Sequence, residues 1–127
     1  MLNLPTFALV CVTLLASVAE AQGTSAGEQT YLEFQVQRPA RVRESSSPAY
    51  PQRLLVMRVP GEVTVQFVVN EKGEADGGSI KVIKSSDREF VIPVRKAVTA
   101  ATYYPAEIEG RRVKQLVQMT FKFQPRS

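Results

Sequence analysis

The chain has 127 residues, 44% apolar and 22% charged, with 16 Lys and Arg against 12 Asp and Glu, one cysteine and no histidine or tryptophan. That length fits one domain, and the missing histidine removes Ser-His-Asp and Cys-His nucleophile pairs, histidine metal sites and imidazole acid–base switching. The lone Cys11 can form neither an internal disulfide nor a thiolate cluster, so a disulfide-stapled scaffold and a cysteine zinc site are excluded too.

From Leu4 to Ala19 the chain is apolar except for Thr6, Thr13 and Ser17, and Ala19-Glu20-Ala21 follows, the small-x-small pattern of a signal-peptidase site. Residues 1–21 therefore read as a secretory signal cleaved after Ala21. The competing reading is an uncleaved inner-membrane anchor, for which the run is shorter than the roughly 20 residues of a bilayer span and is interrupted by Pro5. Cleavage would discard Cys11 and Glu20 and raise the net charge above the +4 of the whole chain. The basic residues are spread from Arg38 to Arg126, which suits solubility and acidic surfaces and gives no clustered footprint for nucleic acid.

Residues 22–47 read as a leader. Its first residues, Gln22 to Gln29, are polar and have little to bury. Leu32, Phe34 and Val36 then alternate with Glu33, Gln35 and Gln37, which predicts an extra N-terminal strand over Tyr31–Gln37, ended by Pro39. The stretch from Ala40 to Pro51, closed by Ser45-Ser46-Ser47-Pro48, reads as a polar loop, with the main domain over 48–125.

Within that domain Pro51 suits the start of a short helix with Leu54, Leu55 and Met57 on its apolar face, ended by Pro60-Gly61. The next segment has Val63, Val65, Phe67 and Val69 on one face and Glu62, Thr64, Gln66 and Asn70 on the other, which is a half-buried strand. Glu71 to Glu74 predicts a turn with Gly73 at positive φ, and a second strand follows over about Ser79–Lys84. Ser86-x-x-Glu89 has capping-box spacing ahead of a helix from about Ile92, with Val94, Ala97, Val98 and Ala101 on one face. Tyr103-Tyr104-Pro105-Ala106 ends it and Gly110 turns the chain. The last strand starts at Arg111, with Val113, Val117, Met119, Phe121 and Phe123 opposite Lys114, Gln118, Thr120 and Lys122, and with Gln115 and Leu116 breaking the alternation. One-sided strands in this order predict an α+β, two-layer fold: a three-stranded antiparallel sheet, β-β-α-β, with helices on one face.

Tyr50-Pro51, Leu54, the strand Gly61–Val69, Gly73, Ser85-Ser86, Ala97, Tyr104-Pro105-Ala106, Gly110, Val113 and the closing Phe121-Lys122-Phe123 together resemble the C-terminal domain of TonB, from about Pro48 to Phe123. The resemblance implies a periplasmic domain that grasps a short segment of a TonB-dependent outer-membrane transporter, or of another envelope protein, in energy-dependent transport. No nucleophile, base or metal cluster is visible in the sequence, so no enzyme activity, cofactor or metal is expected. A strand edge can take up an extended peptide through main-chain hydrogen bonds. Carried over by position, that edge is Val113, Lys114, Gln115, Leu116, Val117, Gln118, Thr120 and Lys122, and Pro48, Ala49, Tyr50 and Pro51 close over the peptide. Lys114 and Lys122, with Arg111 and Arg112 at the strand's entrance, would attract acidic partner residues.

The same residues also suit plain structural roles: Val117, Met119, Phe121 and Phe123 as core, Gly61, Gly73 and Gly110 as turn residues, Lys114 and Lys122 as charges protecting an edge. Glu74 and Asp76, the nearest approach to a carboxylate pair, read as solvated turn residues. Full transducers of this family couple to their motor through a histidine, and this chain has none, so motor coupling is not expected. The alternative function is a structural envelope protein whose edge is capped by its own Tyr31–Gln37 strand or by a second copy in a homodimer.

Overall fold

Alternation along Gly61–Val69 sets the architecture. The computed structural model describes residues 29–126, so the signal reading over 1–21 falls outside the described residues. In chain order the elements are β1 (Thr30–Tyr31), β2 (Arg41–Glu44), α1 (Gln52–Val56), β3 (Gly61–Val69), β4 (Lys81–Ser85), α2 (Val91–Ala100), β5 (Thr102–Tyr104), β6 (Ala106–Ile108) and β7 (Arg111–Phe123). β3 is central, antiparallel to β4 on one side and to β7 on the other, with an unbroken β7 register from Gly61↔Phe123 to Val69↔Gln115. The expected α+β fold is present, with more strands than the three-plus-one read from the sequence. β1 joins β7 in parallel, β6 pairs with β7, and β2 and β5 form a separate two-stranded ribbon.

The two faces of β3 show why the sheet has only one covered side. Val63, Val65, Phe67 and Val69 are fully buried, and they pack with Leu54, Phe90, Val94, Val98, Tyr103 and Phe123 in one core. Side chains of this size contribute about 1.5–3 kcal/mol each when buried. On the opposite face the Thr64 and Thr120 hydroxyls lie 2.9 Å apart, and Gln66 Nε2 donates to Gln118 Oε1 at 3.2 Å. Such cross-strand pairs contribute about 0.2–1 kcal/mol each and tolerate water.

Two glycines are dictated by close approach. A Cβ at Gly61 would stand 2.0 Å from the Phe90 ring, and one at Gly73 would stand 2.2 Å from the Tyr103 carbonyl oxygen. Gly73 also has the expected positive φ, 82°, and its carbonyl accepts from the Tyr103 N–H at 2.9 Å, tying the β3–β4 turn to β5.

Several local readings are corrected. Only Leu54 of the α1 trio is buried, because the helix is five residues long and Leu55 and Met57 stay exposed. Asp87, not Ser86, caps the turn before α2 by accepting from the Glu89 N–H at 2.9 Å, while Ser86 Oγ accepts from the Glu62 N–H and helps hold β3. α2 begins at Val91, so Pro93 falls in its first turn, where its missing N–H has no helical partner to lose. Thr102 to Ile108 is two short strands interrupted by Pro105 rather than a plain reversal. The following loop has φ 51° at Glu109 and 78° at Gly110, the positive values a type I′ hairpin needs.

The leader differs most. The strand expected over Tyr31–Gln37 shrinks to Thr30–Tyr31, and Glu33–Gln35 is a 3-10 turn in which Gln35 Oε1 accepts from the Leu32 N–H at 2.8 Å. Phe34 is 82% exposed and Leu32 is 42% exposed. Alternation had nothing to bury these side chains against, so the local side-chain hydrogen bond decided the backbone. Conversely, Arg41–Glu44, read as loop, is β2, because Thr102–Tyr104 supplies a partner strand.

Candidate strand-docking site

β7 is the longest strand of the sheet and uses its two edges unequally. From Gln115 to Phe123 one edge is taken by β3. Toward its start β7 has further partners: Arg111, Arg112 and Val113 face Ile108, Glu107 and Ala106, while Lys114 and Gln115 face Thr30 and Tyr31. From Leu116 to Phe123 β7 pairs only with β3 among the described residues. The remaining edge therefore carries backbone N–H and C=O groups without a strand partner.

Beside this uncovered edge lies a cleft of about 280 Å³. Its inner wall is Gln115 to Met119 of β7, Tyr103 contributes from β5, and Glu33, Ala40, Arg41 and Val42 of the leader form the other wall. Gln115 holds the two walls together. Its residue is 2% exposed, its Oε1 accepts from the Ala40 N–H at 2.7 Å, and its Nε2 donates to the Leu116 carbonyl at 3.3 Å. A buried amide that breaks the apolar alternation is thereby satisfied on both ends, as burial requires. The leader is fastened further along, where the Gln37 and Arg38 N–H groups donate to the Glu107 carbonyl and the Glu107 N–H donates back to Arg38. Gln37 Oε1 accepts from the Glu109 N–H at 2.6 Å.

Tyr103 is buried and donates its hydroxyl to the Val98 carbonyl at 2.9 Å. Burial penalises the phenolate and pushes its pKa up to about 12. It is a neutral structural phenol at ordinary pH, and among the described residues no group of three or more acidic or cysteine side chains is placed to hold a metal.

The residues singled out from the sequence are distributed unevenly. Leu116, Val117 and Gln118 line the cleft on the uncovered stretch, and Thr120 and Lys122 continue that stretch beyond it. Val113 is buried opposite Ala106, Lys114 lies opposite Thr30, and Gln115 is turned into the contact with the leader. Lys122 lies across from Glu62 on β3. Of Pro48, Ala49, Tyr50 and Pro51, none lines the cleft. Tyr50 instead plugs the core's other end: its ring meets Phe90 and Phe123 edge-on, with centroids 5.8 and 5.5 Å away, and its hydroxyl donates to the Val59 carbonyl. Pro51 precedes the first turn of α1. The leader wall, Ala40 to Val42, was missed. The signal for it is the alternation Arg41-Val42-Arg43, too short to stand out before its partner strand is known.

Comparison with known proteins agrees with this architecture. Residues 46–125 match the family model described as the Gram-negative bacterial TonB protein C-terminal. The solution structure of the TonB C-terminal domain of Pseudomonas aeruginosa is similar at 25% identity and a TM-score of 0.53, over 69% of this chain and 90% of that one. A structure of the TonB2 protein of Vibrio anguillarum is similar in fold at 24% identity and a TM-score of 0.50, over 91% of this chain and all of that one, 100%. The comparison with curated proteins gives no match.

Proposed function

This chain belongs to the family of Gram-negative bacterial TonB protein C-terminal domains, and on that premise we propose that it docks an extended segment of an outer-membrane transporter, or of another envelope protein, as an added strand on β7. Domains of this family are non-catalytic interaction modules of energy transduction for envelope transport, and they interact with outer-membrane transporters. The observation that carries the reading is the β7 stretch from Leu116 to Lys122, which among the described residues has a strand partner on one edge only and a cleft beside the other. Main-chain groups of that edge supply affinity, and the side chains of Leu116, Val117 and Gln118 supply selectivity. The same proposal includes export by residues 1–21, a domain over 48–125 and work in the periplasm.

One observation favours a second reading, a self-capped edge: Thr30–Tyr31 already lies against Lys114 and Gln115. Among the described residues that cover stops at Gln115, and the larger part of the strand edge has no such partner. The test is titration of the protein with synthetic N-terminal segments of outer-membrane transporters, followed by amide NMR. Saturable binding that shifts Leu116 to Lys122 supports docking. Binding that leaves β7 unmoved, or no binding, overturns it, and affinity that appears only after removal of residues up to Gln37 establishes the self-capped reading.

A further inference from the structure

Four of the nine large apolar side chains exposed among the described residues fall on α1 and the first turn of α2: Leu55, Val56, Met57 and Ile92, with Val56 71% and Ile92 63% exposed. Grouping of this kind, rather than scatter, marks a surface that meets something. One ion pair joins the two elements. Arg53 Nε on α1 donates to Glu89 Oε1 at 2.9 Å, in the turn that leads into α2, and Arg53 Nη1 lies 3.6 Å from Met57 Sδ. Val56 and Met57 follow Arg53 by three and four residues, and Ile92 follows Glu89 by three, so all three side chains flank that pair. None of them lines the cleft beside β7.

Charge of one sign surrounds this apolar group. Phe90, Val94, Ala97 and Val98 are turned into the core, which leaves Arg88, Ile92, Arg95 and Lys96 on the exposed side of the helix. At spacings of three or four residues, the three basic side chains are neighbours of Ile92. None of the three joins an ion pair among the described residues, where the pairs are Arg38–Glu107, Arg53–Glu89 and Lys84–Glu62. The two acidic residues of this region are engaged, Glu89 with Arg53 and Asp87 with the Glu89 N–H that it caps. Aliphatic tips among unneutralised basic groups match a bilayer interface, where acyl chains take up the apolar atoms and anionic headgroups the charge. Arginine adds two-pronged contact with lipid phosphates. No helix among the described residues is long and apolar enough to cross a membrane, so the contact is peripheral.

We propose that Val56, Met57 and Ile92, with Arg88, Arg95 and Lys96, form a docking surface for an anionic phospholipid bilayer. It uses no residue of β7 or of the cleft, and so stands apart from the strand-docking reading.

The chain has no tryptophan, so Ile92→Trp gives the full chain a single fluorescent reporter on this face, and Phe34→Trp gives one on the exposed leader. Each is titrated at low ionic strength with vesicles of phosphatidylglycerol and phosphatidylcholine in equal parts, and with vesicles of phosphatidylcholine alone. Emission of the Ile92→Trp chain is expected to move to the blue with the mixed vesicles only, and added salt to reverse the shift. Adding Arg88→Gln, Arg95→Gln and Lys96→Gln weakens the binding at least tenfold, on the scale of roughly fivefold for each basic residue at an anionic surface. Adding Arg111→Gln and Arg112→Gln on β7 instead costs far less. All the substituted side chains are exposed, and unchanged circular dichroism confirms that the variants fold. No shift, a shift of equal size with the neutral vesicles, or a shift that survives the triple neutralisation overturns the proposal. So does a shift confined to the Phe34→Trp chain. Attachment through residues 1–21 alone would carry the chain down with either vesicle and leave the Ile92→Trp emission unmoved, which also overturns it. None of these results touches strand docking, which the amide shifts on β7 decide.

Discussion

β3 and the leader begin from the same kind of sequence and finish differently. Val63, Val65, Phe67 and Val69 alternate with polar residues and are fully buried, whereas Leu32, Phe34 and Val36 alternate in the same way and Phe34 is 82% exposed. β3 is paired on both sides, by β4 and by the long β7, and α2 covers its apolar face with Val94, Ala97 and Val98. The leader meets β7 over two residues, and its β2 strand is exposed along its length. Alternation marks a face that can be buried, and burial then depends on whether a second layer exists over it. The leader is accordingly held by a few polar contacts, Gln115 to Ala40 chief among them, and the core by area.

This contrast can be broken first at its strongest point. Phe67→Ala should cost about 3–5 kcal/mol in urea unfolding, as for other buried aromatic truncations. If it costs less than 1 kcal/mol, the β3 face is not the centre of the core. Gly73→Ala comes next, at ~2–3 kcal/mol, since both its positive φ and the Tyr103 carbonyl oppose a Cβ. Its effect should be seen as a lower thermal midpoint.

Gln115→Met tests the leader's attachment. About 1 kcal/mol is the expected loss, because the Ala40 N–H and the Leu116 carbonyl lose a partner. Hydrogen exchange should speed up from Arg38 to Glu44 while β3 amides stay protected. Uniform acceleration in both regions would show that leader and core open as one unit.

Tyr103→Phe sharpens the comparison through pH. The phenol's folded pKa, about 12, lies above the ordinary value of 10. Its stabilising contribution is therefore complete below pH 10 and is lost as pH rises toward 12. The phenylalanine variant, weaker by ~1 kcal/mol at pH 7 for want of the Val98 hydrogen bond, should close the gap on the native chain over that alkaline range. The smallest effect belongs to Phe34→Ala, expected within about 0.5 kcal/mol, since an exposed ring loses little burial. A larger loss would mean that Phe34 packs against something in solution.

Much of the β3–β7 framework was legible because each step had a local cause: period-two alternation, a glycine forced to positive φ, a proline tolerated at a helix start. Gln115 shows where this stops. As a letter it interrupts an apolar strand, and only the approach of Ala40 explains a buried amide at that point. Tyr50 shows the converse, since its place in a recognisable motif suggested a lid, yet its ring is fixed between Phe90 and Phe123.

By itself the sequence determined the family resemblance, the α+β class, the central strands and the absence of histidine chemistry, because composition and periodicity act within one element. Tertiary structure alone decided which strands the leader meets, which part of β7 keeps an open edge among the described residues, and that Ala40 to Val42 of the leader rather than Pro48 to Pro51 line the cleft. Those outcomes join residues some 75 positions apart, as in the Ala40–Gln115 hydrogen bond. Contacts at that separation depend on where every intervening element packs, and no local pattern records them.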